Sequence, residues 1–98
     1  MDVDSRWRGV ARDALGMRVL DDELVVYNET TGSTHHLSVL GTVVMQALLR
    51  YPDGIAFHDL VRAVADDEGA VVDDELADAL ARALDSLAAL GLAVAVDP

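Results

Sequence analysis

The sequence predicts an α+β fold: a three-stranded antiparallel sheet followed by a winged-helix-like bundle of three helices. Two observations predict it. Three short strand-like runs bounded by turn residues precede residue 38, and apolar residues recur at helical spacing in three longer runs after it. Strands and helices kept apart along a chain indicate an α+β domain rather than alternating βαβ units. A length of 98 residues suits one domain with a modest core.

Residues 16–21, GMRVLD, read as the first strand, with Met17 and Val19 on one face and Arg18 and Leu20 on the other. Asp21-Asp22 makes a tight turn. Residues 23–28, ELVVYN, hold two valines and an aromatic and are apolar on both faces, the pattern of a central strand. In the NETTG beyond it, Asn28, Thr31 and Gly32 are turn formers. Residues 33–37, STHHL, return as the third strand, with Ser33, His35 and Leu37 facing one way and Thr34 and His36 the other. The product is a meander with the second strand in the middle.

Ser38 is placed to cap a first helix over residues 39–51, whose stripe is Leu40, Val43, Val44, Ala47, Leu48 and Tyr51. Pro52 and Gly54 punctuate its end. A second helix covers residues 57–67, burying Leu60, Val61, Val64 and Ala65, and DDEG stops it. A third runs from Asp73 or Asp74 to Leu90 on a stripe of Leu76, Leu80, Leu84 and Leu87, with acids at its positive end. Gly91 is placed as the residue after the cap, with Leu92 reaching back to Leu87 in a Schellman-type turn. The AVAV tail reads equally as a short strand or as packed coil. Residues 1–14 show no clear period, and 1–15 are read as an N-terminal extension, with the domain proper at 16–98. The sequence leaves open whether Trp7 docks on that domain.

Net charge is −11, from 18 acids and 7 bases, all arginine. Residues 1–15 are neutral, so residues 16–98 carry the whole excess. That balance opposes contact with nucleic-acid phosphates and suits a partner with some positive charge. No apolar run approaches a membrane span and the N-terminus lacks a signal core, so no membrane partner and a cytoplasmic location are expected.

Catalysis finds little to work with. There is no cysteine and no lysine, which removes thiolate chemistry, zinc thiolates, Schiff bases and a P-loop lysine. His35 and His36 are adjacent on a strand and point to opposite faces, so they do not share a metal; His58 lies on another element. Ser5, Ser33, Ser38 and Ser86 sit in no nucleophile elbow. The acidic runs at 66–68 and 73–75 lack the alternation and central glycine of a calcium loop. No enzyme activity, metal or cofactor is expected.

The block VVYNETTGSTHHLSVLGTVVMQALL, then FHDLVRAVADDEG and ALDSLAALGLAVAV, resembles the PqqD-like family, also called RiPP recognition elements. The resemblance rests on Val26 and Tyr27, the Thr31-Gly32 turn, THHL at 34–37 and LGL at 90–92, and covers about residues 16–96. It is greatest to small peptide chaperones encoded beside HPr-kinase-related proteins. It implies a non-enzymatic domain that captures the leader of a ribosomally made precursor peptide and presents it to a separate modifying enzyme. The leader would add a strand beside residues 33–37 and lie against the third helix.

That mode suits the residues. An edge strand offers backbone groups to an incoming strand, giving affinity with little sequence demand. The implied contacts are Ser33, Thr34, His35, His36 and Leu37 on the strand, and Leu76, Ala79, Leu80, Ala83 and Leu87 on the helix. Ala79, Ala83 and Ser86 make a flank of small residues; Ala77, Ala81 and Ala88 make another on the opposite side, and the sequence does not say which faces the strand. Nor does it say whether His35 or His36 turns its N–H outward. Asp78, Arg82 and Asp85 lie where they could read charge at the rim. Two other readings compete: a regulatory partner of an HPr-kinase-like enzyme, and a winged-helix DNA-binding regulator, which the acidic third helix disfavours. Monomer or weak homodimer is expected, the latter through the same open edge.

Overall fold

A computed structural model describes residues 4–10, 15–20, 23–28 and 32–96. The expected meander is present: β2 (Leu15–Leu20), β3 (Glu23–Asn28) and β4 (Ser33–His36) form an antiparallel sheet with β3 central. Three helices complete the order, α1 (Val39–Leu49), α2 (Phe57–Glu68) and α3 (Asp74–Ala89). The fold is α+β. The turns expected at Asp21-Asp22 and at Thr31 lie outside the described residues.

A second antiparallel sheet was not expected from the sequence. It has the order β5-β1-β6, built from β1 (Arg6–Gly9), β5 (Ile55–Ala56) and β6 (Ala93–Val96). Trp7 pairs with Ile55 on one side and Ala95 on the other, and packs half-buried against the core. The indole N–H donates to Ser5 Oγ at 3.3 Å. Residues 6–9 of the expected extension are therefore the central strand of a sheet that spans both ends of the described chain, and the AVAV tail is its edge.

The core forms where α1 packs against β1, β3, α2 and α3. Val26, Val44, Met45, Leu48, Leu60, Leu80 and Leu84 are fully enclosed there. Burying each such leucine contributes about 1.5–3 kcal/mol. β3 is one-sided: Leu24 and Val26 are buried, whereas Val25 is half-buried and Tyr27 is 44% exposed. The central position expected for this strand holds, although it is apolar on both faces and, among the described residues, the helices cover only one side of the meander.

The helix ends obey their sequence signals. Ser38 Oγ accepts from the Gly41 N–H at 3.0 Å, and Asp73 Oδ1 accepts from the Leu76 N–H at 2.8 Å. At the end of α3, Gly91 takes φ 75°, its N–H donates to the Ala88 carbonyl, and Leu92 N–H donates to the Leu87 carbonyl at 2.9 Å. These are the two bonds of a Schellman turn, and the positive φ is the reason for glycine.

One buried polar contact ties sheet to helix. The Leu24 N–H donates to Thr42 Oγ1 at 2.8 Å, with Thr42 only 4% exposed. Thr42→Val keeps the shape and leaves that N–H without an acceptor. It is expected to lower unfolding free energy by about 1–3 kcal/mol, while Thr42→Ser retains most of it. Urea titration of the three proteins checks this.

Candidate functional site

The register of β3 and β4 fixes which backbone groups of β4 are turned outward. Leu37 N–H donates to the Leu24 carbonyl at 2.8 Å, and the pairing runs Val25 with His36, Val26 with His35, Tyr27 with Thr34 and Asn28 with Ser33. Bonded and non-bonded pairs alternate in an antiparallel ladder. Leu37, His35 and Ser33 therefore direct N–H and C=O toward β3, and His36 and Thr34 direct theirs toward the open edge. Among the described residues no strand pairs there. Of the two histidines, His36 is the outward donor.

A groove of about 350 Å³ runs beside that edge. His36, Leu37 and Ser38 line it from the end of β4, and Leu40 and Gly41 from the first turn of α1. Ala79, Arg82, Ala83, Ser86, Leu87 and Leu90 line it from α3. The small-residue flank facing β4 is thus the one formed by Ala79, Ala83 and Ser86. β4 runs almost directly into α1, so the capping turn itself becomes part of the groove. A Cβ at position 41 would stand 3.2 Å from Ser38 Oγ and 3.5 Å from Leu37 Cβ. Glycine there leaves room at the cap.

The residues singled out from the sequence fall into three places. His36, Leu37, Ala79, Ala83 and Leu87 line the groove together. Ser33, Thr34 and His35 continue the strand away from it, with Ser33 and His35 half-buried and Thr34 exposed. Leu76 packs half-buried on the core, and Leu80 is 0% exposed, so Leu80 supports α3 from beneath and offers no surface for contact. Arg82 and Ser86, expected at the rim and in the small-residue flank, line the groove as well, and so do Ser38, Leu40, Gly41 and Leu90, which were not among the expected contacts. A signal existed for Leu90: it is the last residue before the Gly91 turn, and it emerges 40% exposed at the end of the groove.

Charge is distributed unevenly around the groove. Arg82 lines it, no carboxylate does, and Arg82 makes no ion pair among the described residues. By contrast Arg50 is held by Asp67, whose carboxylate raises the guanidinium pKa, on an exposed surface away from the groove. His58 lies 3.2 Å from Asp59 on α2. Among the described residues no cluster of three histidine, aspartate or glutamate side chains could hold a metal ion, and no helix is long and apolar enough to cross a membrane.

No family model and no curated protein matches the sequence. Among solved structures the chain is similar to TbiB1 in complex with the TbiA(beta) leader peptide. The TM-score is 0.66 and the identity 23%, over 89% of this chain and 96% of that one. At this identity the likeness establishes a shared fold.

Proposed function

We propose that this chain is a non-catalytic adaptor that captures an extended peptide, the leader of a ribosomally made precursor, by adding it as a fourth strand to the β2-β3-β4 sheet. One observation carries the reading: the outward N–H and C=O groups of Thr34 and His36 stand beside the groove between β4 and α3. Main-chain bonds along the edge would supply affinity, and the groove would read alternate side chains. The PqqD-like pattern of the sequence and the fold likeness to a leader-bound protein support the same reading.

Presentation to a modifying enzyme, or to an HPr-kinase-like protein, needs a second surface. The outer face of the meander is suited to it. There the exposed Tyr27 stands opposite Gly16, and Val25 opposite Arg18, around a shallow hollow. A partner docked on this face would leave the β4 edge free.

An amide-resolved NMR titration with synthetic segments from short open reading frames encoded nearby tests the proposal. Saturable shifts at residues 33–38 and along one side of α3, lost in a folded Ala83→Trp variant that fills the groove, are the expected result. Shifts confined to Tyr27 and its neighbours, or none with any segment, would overturn strand addition.

A further inference from the structure

The chemistry of the groove narrows its ligand further, and that narrowing rests on the peptide-capture reading. At one end stands Arg82, unpaired among the described residues and with no carboxylate lining the groove. Asp78 and Asp85 flank it along α3 but are exposed and do not line the groove. In a chain of net charge −11, the groove lining is thus a place with a cation and no carboxylate. At the other end Leu87 and the exposed Leu90 make an apolar wall with Leu40.

Spacing then sets a rule. From Arg82 to Leu90 the helix rises about 12 Å at 1.5 Å per residue. An extended peptide covers that in three to four residues at about 3.3 Å each. Side chains on one face of an added strand recur at every second residue, so the separation that fits is the even one, four. We infer that the groove selects a peptide segment carrying a carboxylate and, four residues away, a large apolar side chain. The carboxylate bonds to the Arg82 guanidinium and the apolar group packs against Leu90, the exposed end of the apolar wall. A guanidinium fork suits a carboxylate in this role better than an ammonium would.

Selection of a displayed library of random decapeptides on the folded, full-length chain tests this, with Arg82→Glu and Ala83→Trp as parallel baits. The expected result is enrichment of Asp or Glu four positions from Leu, Ile, Phe or Tyr, replaced by Lys or Arg at the same position on Arg82→Glu. An enriched acidic peptide should lose about tenfold in affinity on Arg82→Glu, and its acid-to-lysine version should regain it there. Peptides that bind, are lost on Ala83→Trp and show no charge preference would overturn the selection rule and leave the adaptor reading standing. No enrichment, or enrichment untouched by Ala83→Trp, would overturn both.

Discussion

On the strand-addition reading, His36→Pro is expected to weaken peptide binding by roughly 30–150-fold and leave the fold intact, whereas His35→Pro should destabilise the sheet edge. The two positions are adjacent, and the difference arises from the alternation of the ladder. His35 sits in a bonded pair with Val26, so a proline there deletes a rung between β4 and the central strand and leaves the Val26 carbonyl short of a donor. The cost is about 1–3 kcal/mol of stability. His36 sits in a non-bonded pair with Val25, so its N–H is not part of that rung. Proline at 36 replaces the outward donor with a ring carbon directed at the incoming strand. A bond is lost, a peptide carbonyl is left unpaired, and strands can no longer approach to the usual spacing of about 4.8 Å. Together these cost about 2–3 kcal/mol of binding, or roughly 30–150-fold. Calorimetry with the same peptide and urea titration of both variants measures the two effects. Equal binding by wild type and a folded His36→Pro would rule out strand addition at this edge. Thr34→Pro provides a gradient: its outward groups lie farther from the groove, so a smaller loss is expected.

The contrast between those two histidines shows what a sequence conveys and what it withholds. Alternation of STHHL places Thr34 and His36 on one face and Ser33, His35 and Leu37 on the other, and the structure agrees. Side-chain faces, however, are perpendicular to the hydrogen-bonding direction. Which residue turns its backbone outward depends on register with β3, a long-range pairing with no local signature. The helix caps were legible because each depends on a few neighbouring residues: Ser38 with Gly41, Asp73 with Leu76, and Gly91 with Leu92. β1 was missed for the opposite reason. Its four residues alternate arginine with Trp7 and Gly9, a period of two that is present but short and charged. Its partners are some fifty and ninety residues away. β5, two residues long, has no period at all. The groove was half legible. The stripe of α3 announced a buried side, but the choice between its two small-residue flanks is made by how α3 crosses α1 and where β4 ends.

Leu80→Ala is expected to be strongly destabilising for a residue that the sequence assigns to ligand contact, and to alter binding only through stability. Leu80 is 0% exposed and belongs to the core cluster with Val44, Leu48, Leu84 and Leu87. Truncation removes buried methyl groups and leaves a cavity that the surrounding helices fill only partly, at a cost of about 2–5 kcal/mol. Domains of this size hold about 5–15 kcal/mol in total, so a substantial fraction of the variant would be unfolded at mild denaturant. Leu80→Met conserves volume and should cost less than about 1.5 kcal/mol. If Leu80 acts only beneath α3, the two variants bind peptide with wild-type affinity once the folded fraction is taken into account, and a saturating peptide raises the midpoint of each by the same increment. A loss of affinity in folded Leu80→Met would mean instead that α3 shifts when peptide enters and exposes its leucine stripe. The groove would then be made by its ligand and not presented ready-formed. Leu87 provides the internal comparison, since it is equally buried, at 1% exposed, yet lines the groove. Leu87→Ala should lose both stability and affinity, and the pair of residues separates support of the groove from contact within it.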